Sequence, residues 1–149
     1  VNLRLEIPPD SERIKIEKGG QFEVHFYDYI VIKYPIKEHR KKDKKFFDDI
    51  VKMHNELSLK YEGFLPAKKF WLSQFKCYVI AMLRVEGVRV DSLTGRIKKR
   101  IKQRLLKQRE QLVKDGYNVL DFDNPRNVIY DKDSNKLYFI DVHLMGKSK

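Results

Sequence analysis

Residues 121–142, DFDNPRNVIYDKDSNKLYFIDV, constrain this chain more than any other stretch. DKDSN at 131–135 is turn chemistry, because Asp, Ser and Asn side chains hydrogen-bond the backbone beside them. Apolar runs flank it, with Val128, Ile129 and Tyr130 before and residues 137–140 after. The pattern predicts a β-hairpin. Its open end would bring Asn127, which ends the preceding loop, beside Asp141, fourteen residues further on. An amide oxygen next to a carboxylate is a hard-oxygen site. It suits Mg²⁺, which takes one or two carboxylates and completes its shell with waters and substrate phosphates. The bland alternative is an ordinary hairpin with polar ends, and the rest of the chain must decide.

At 149 residues the chain is expected to form one domain with a real core. Apolar residues make up 42%, which places it among globular proteins rather than disordered ones. The first twenty residues are charged throughout, so no signal peptide is expected, and no apolar run is long enough to span a bilayer. A single cysteine, Cys77, in an apolar run argues against disulfides and zinc, and points to a reducing compartment, the cytoplasm. The four histidines have no metal-ligand spacing. The net charge of +11 predicts attraction to polyanions: nucleotides, nucleic acid or an anionic membrane surface.

Taken in order, residues 1–9 give a short strand candidate closed by Pro8 and Pro9. RIKIE at 13–17, QFEVHFY at 21–27 and IVIKY at 30–34 read as three strands, with turns at Gly19-Gly20 and Asp28-Tyr29. The charge run KEHRKKDKK at 37–45 reads as the solvated start of a helix. Phe46, Ile50, Met53, Leu57 and Tyr61 would form that helix's apolar face. Residues 67–72 and 75–83 read as two more strands. Residues 96–114 form the strongest helix pattern, with Thr94 as N-cap, Ile97, Ile101, Leu105 and Leu112 as its apolar stripe, and Gly116 closing it. Nine of those nineteen residues are Lys or Arg, which makes either a core-packed helix with a solvated basic back or a polyanion-binding face.

The order of these features resembles the protein-kinase-like fold. PRNVIYD stands where kinases have Pro-x-Asn and three apolar residues, VIK at 31–33 is similar to the Val-Ala-Ile-Lys strand, and FIDVH stands at the metal-binding Asp segment. The resemblance covers the whole chain, and it is to a reduced form, closer to small atypical kinases of the lipopolysaccharide-kinase and Bud/Rio type. It implies an α+β fold: a five-stranded antiparallel N-lobe sheet with one inserted helix, then a truncated C-lobe of a long helix and a β-hairpin. The lobes would span residues 1–83 and 92–149, joined by a hinge-like link at 84–91.

The resemblance also implies roles. Gly19 and Gly20 would cover the phosphates of ATP, although GG is not the full G-x-G-x-x-G. Lys33 would reach the α- and β-phosphates, held by Glu56, with Asp49 in reserve. Backbone groups from Met82 to Arg84 would bond adenine. Asn127 and Asp141 would hold Mg²⁺. The catalytic Asp belongs five residues before Asn127, but Phe122 stands there, flanked by Asp121 and Asp123. Either could serve, depending on loop length. The Asp-Phe-Gly glycine is also missing, since the run is Asp141-Val142-His143, and the helices that bind protein substrates in larger kinases do not follow. Three classes of function are therefore expected in this order. The first is an ATP- and Mg²⁺-dependent phosphotransferase of unknown acceptor. The second is a kinase-derived module that binds nucleotide or protein without catalysis, with a partner or second copy completing the short C-lobe. The third is a basic nucleic-acid-binding protein.

Overall fold

Alternating residues near the N-terminus pair as strands because each puts its apolar side chains on one face. The structure, a computed structural model, describes residues 6–19, 21–40, 44–118, 122–142 and 146–147. It divides the chain into two compact units. One holds the residues up to Glu56 together with Leu65–Arg84. The other holds Leu57–Phe64 together with the residues from Val85 onward.

The first unit is built on β1 (Lys15–Lys18), β2 (Phe22–Phe26), β3 (Ile30–Pro35), β4 (Ala67–Leu72) and β5 (Cys77–Leu83). Their spatial order is β1-β2-β3-β5-β4, antiparallel throughout. Helix α1 (Lys44–Lys60) is inserted after the third strand. β5 is an interior strand, between β3 and β4, and the most apolar one, as burial on both faces requires. On one face of the sheet Ile30, Ile32, Cys77, Val79 and Ala81 form a cluster with Tyr27, joined by Ile7 from the N-terminal segment. On the other face Phe22, Ala67, Ile80 and Met82 pack with Phe47 and Ile50 of α1.

Four expectations need correction here. Most of the strand candidate at 1–9 lies outside the described residues, and residues 6–9 are in no strand. β5 begins at Cys77, not at residue 75, because residues 73–76 form a turn that puts Lys76 at a φ of 49°. α1 is rotated from its expected register: Phe47, Ile50, His54 and Leu57 are buried, whereas Phe46 and Met53 are only half-buried. Thr94 stands at the N-cap of the long helix with extended dihedrals, but its hydroxyl makes no capping hydrogen bond.

The second unit is built around α2 (Gly95–Lys114), which buries Ile101, Leu105 and Leu112. Gly116 follows it at a φ of 92°, and its N–H bonds the Val113 carbonyl, so the helix stops where a left-handed glycine should stop it. Two small sheets complete the unit. One has the order β6-β8-β9, from β6 (Val88–Arg89), β8 (Val128–Asp131) and β9 (Lys136–Phe139). The other pairs β7 (Tyr117–Asn118) with β10 (Gly146–Lys147). β6 lies within the expected link and pairs with β8. The unit's aromatic centre is Phe64, Phe122 and Phe139, with ring centroids 4.5–5.9 Å apart. Among the described residues no helix is long and apolar enough to cross a membrane.

Candidate functional site

The hairpin of β8 and β9 fixes the position of Asn127 and Asp141. At its closed end, Asp131 accepts a hydrogen bond from the Asp133 N–H (3.0 Å) and another from the Ser134 hydroxyl (2.8 Å). The Ser134 hydroxyl bond is the main reason that the Asp131 carboxyl lies below its ordinary pKa. Asn135 then takes a φ of 58°, and Arg104 of α2 donates to its side-chain oxygen (3.1 Å) and its carbonyl (3.0 Å). The turn is thus tied to the helix, and the register follows: Val128 faces Phe139 and Tyr130 faces Leu137.

At the open end, Pro125–Asn127 forms a 3₁₀ turn. Asn124 begins it, its side-chain oxygen accepting from the Arg126 N–H at 3.1 Å. The Asn127 N–H donates back to the Asn124 carbonyl (2.7 Å). Its carbonyl accepts from the Ile140 N–H (3.1 Å), which adds one rung beyond Val128 and Phe139. Asp141 is therefore the first residue past that rung. Asn127 and Asp141 are both half-buried. The backbone thus brings Asn127, an amide, to within one position of Asp141, a carboxylate, across the hairpin mouth. Among the described residues no group of three His, Cys, Asp or Glu side chains is arranged to hold a metal.

The two flanking aspartates fare differently. Asp121 lies outside the described residues. Asp123 is held by Arg109 of α2 through two bonds, Nε to Oδ2 at 2.7 Å and Nη2 to Oδ1 at 2.6 Å. Both its oxygens are engaged by a guanidinium fork. Phe122 between them is fully buried among the aromatic rings. Spacing identified Phe122 as a departure from the kinase pattern; only packing shows that it is a core residue.

In the first unit, Lys33 on β3 is 7% exposed. It pairs with Val24 and Ile80, on the sheet face that α1 covers. Glu56 is half-buried on α1. Asp49 is exposed and bonds Lys45 one turn back (3.1 Å). α1 also turns His54 fully inward, at 0% exposure. Its spacing from Phe47, Ile50 and Leu57 was visible in the sequence, but a histidine does not raise the apolar signal. Gly19 sits in the turn between β1 and β2, its N–H bonded to the Phe22 carbonyl at 2.9 Å, while Gly20 lies outside the described residues.

Met82 is paired on both sides, with Val31 of β3 and Ala67 of β4, so its backbone belongs to the sheet. The Arg84 N–H donates to the Tyr29 carbonyl (3.0 Å), and its guanidinium to the Tyr27 carbonyl (3.0 Å). The link leaves the sheet beyond Leu83, and residues 84–86 are in no strand.

No family model matches this chain, and no curated protein matches it. Among solved structures it is similar to WbdD, co-crystallised with a kinase inhibitor, at 17% identity and a TM-score of 0.58 over 93% of this chain. The chain spans 36% of the WbdD chain's length. Likeness at this identity speaks to architecture alone, and the architecture is kinase-like: an α+β chain with a five-stranded antiparallel sheet, two helices and a hairpin in a second unit.

Proposed function

We propose that this chain belongs to an ATP- and Mg²⁺-dependent phosphotransferase of kinase-like fold, of the small atypical type. The observation that carries the reading is the hairpin mouth, where one backbone bond from Ile140 to Asn127 sets an amide and a carboxylate in adjacent positions. Asn127 and Asp141 would hold the metal. The metal would neutralise charge on the phosphates, and most of the catalysis would be positioning. Lys33 would bind the α- and β-phosphates. Glu56 is its better counter-charge, since Asp49 is committed to Lys45 on the solvent side. Asp121 would orient the acceptor hydroxyl, because Asp123 is already engaged by Arg109. The backbone of residues 84–86, beyond the sheet, would meet the adenine edge. A buried, unbridged Cys77 goes with a reducing, cytoplasmic setting.

The test is thermal melting with and without ATP and Mg²⁺, on wild type and Asp141→Ala. Ligand at ~100 times its dissociation constant adds ~2.7 kcal/mol. For a chain of this size that is roughly 5–10 °C. The shift should need Mg²⁺ and vanish in the variant. Phosphate transfer that persists undiminished in Asp141→Ala would sink the assignment.

A second reading rests on Phe122. It stands where the kinase pattern has its catalytic Asp, and it is fully buried. The chain would then bind nucleotide, or a protein partner or second copy, without turnover. A positioned base contributes ~10²–10⁴-fold, so this form would bind ATP and transfer phosphate barely at all. Transfer to itself or to a substrate, lost in Lys33→Ala, excludes this reading.

A further inference from the structure

We propose that the solvent side of α2 is a docking surface for an anionic lipid bilayer. The helix carries nine cations and one acid, Glu110. Three of the cations are engaged within the unit: Arg100 reaches the Tyr130 hydroxyl (3.5 Å), Arg104 bonds Asn135, and Arg109 bonds Asp123. Arg96, Lys99, Lys102, Lys107 and Lys114 are exposed. The core face is already filled by Ile101, Leu105 and Leu112. Yet Leu106 is 56% exposed and Val113 is 55% exposed.

Single exposed apolar residues need no explanation. These two are a pair. Each follows a buried leucine, so each lies about 100° round the helix from the core face. They are seven residues apart, two turns along one line. Lys99 and Lys102 continue that line toward the N-terminus, at spacings of three and four, and Glu110, between Leu106 and Val113, is the one acid on it. The stripe from Lys99 to Val113 is about 21 Å long. Apolar side chains set among lysines on a helix surface match the chemistry of a bilayer interface. Leucine and valine would enter the boundary between headgroups and acyl chains, while lysine stems extend past them to the phosphates.

A nucleic acid would meet the same cations but gain nothing from Leu106 and Val113. Single-stranded recognition uses aromatic stacking, and α2 contains no aromatic residue. Charge complementarity together with the apolar pair therefore selects the bilayer. The helix need not leave its unit to dock, because the buried face points elsewhere.

The experiment is co-sedimentation of the whole chain with vesicles of phosphatidylcholine alone, and of phosphatidylcholine mixed with phosphatidylserine. Binding is expected to the mixed vesicles only, and to weaken as salt rises. Each basic residue near an anionic surface is worth about fivefold in partition. Lys99→Glu with Lys102→Glu should cost about 25-fold or more. Leu106→Ser with Val113→Ser, at unchanged charge, should cost about tenfold on vesicles and nothing on an RNA oligonucleotide. The sites are exposed, so both variants should melt with wild type. Wild-type vesicle affinity in either variant overturns the proposal. So does RNA binding that is tighter than vesicle binding and lost with the two lysines, which would assign the face to nucleic acid.

Discussion

Arg109 grips Asp123 with two parallel hydrogen bonds, 2.7 and 2.6 Å long, between the middle of α2 and the loop that leads to Asn127. The same guanidinium lies over the Phe122 ring, 5.7 Å from its centroid. One arginine thus fixes two consecutive residues of that loop, one by charge and one by packing. The loop's path to the 3₁₀ turn at Pro125–Asn127, and through it the position of Asn127, depends on this contact.

Arg109→Lys keeps the charge but loses the fork, and the two are not equivalent at a bidentate site. The pair is partly buried, with Asp123 at 18% side-chain exposure. Hydrogen bonds to charged groups contribute about 1.5–3 kcal/mol, so losing one of two should cost about 2 kcal/mol. Thermal melting should show a fall of roughly 4–8 °C. A melting point within one degree of wild type would mean that the pair holds nothing.

Phe122 invites an obvious repair, Phe122→Asp, which restores an acid five residues before Asn127. The structure argues that this repair fails. The ring is buried between Phe64 and Phe139, so a carboxylate there has no water and an aromatic stack around it. Phe122→Ala alone should cost about 3–5 kcal/mol. Phe122→Asp should cost more and yield insoluble or unfolded protein rather than faster phosphate transfer. A folded, more active Phe122→Asp protein would show that the loop can turn this position outward.

The hairpin was legible because its signal is local: DKDSN makes its own turn, and the strands on either side are apolar where they pair. The antiparallel sheet was legible for the same reason. The rotation of α1 was not. Stripes through Phe46 or Phe47 share Ile50 and Leu57, and hydropathy favoured Met53 over His54, whereas the fold buries His54 completely. β7 and β10 have two residues each and pair across almost thirty positions, too short for any period to show. The Arg109–Asp123 pair could not be read either. It is a tertiary contact, and nothing in the spacing of the aspartates tells which one an arginine will take.

Two glycines separate conformational strain from crowding. Gly63 and Gly116 have nearly the same φ, 91° and 92°. A Cβ at Gly116 would meet nothing within 4 Å, whereas one at Gly63 would run into the Leu137 carbonyl oxygen. Gly63 also approaches β9 closely because its carbonyl accepts from the Phe139 N–H at 2.9 Å. Gly116→Ala should therefore cost only the left-handed strain, about 1–2 kcal/mol. Gly63→Ala should add displacement of β9, for a total of about 3 kcal/mol or more. Denaturant titration of both variants measures the difference directly, and equal losses would remove the crowding argument.

Tyr61 donates its hydroxyl proton to Asp115, which caps the C-terminus of α2. Burial first, and then the Asp115 carboxylate, push the Tyr61 phenol up to about 12. In return, the Tyr61 hydroxyl and then the Gln111 amide hold Asp115 below its ordinary value. The signs are opposite and bracket a plateau. The tyrosine's pKa is raised, so its contribution is present below about pH 10 and fades as pH rises toward 12. The aspartate's is depressed, so its contribution is present above its unfolded value of about 4 and fades as pH falls further. The stability difference between wild type and Tyr61→Phe should be flat from about pH 5 to 9 and shrink outside that window on both sides. Phenolate absorbance gives an independent reading. Burial also pushes Tyr34 up to about 12 and raises Tyr27, so these two and Tyr61 should titrate above the ordinary phenol value of about 10. Tyr61→Phe should remove one of these groups. A single transition near pH 10 for all eight tyrosines would contradict this account of both contacts.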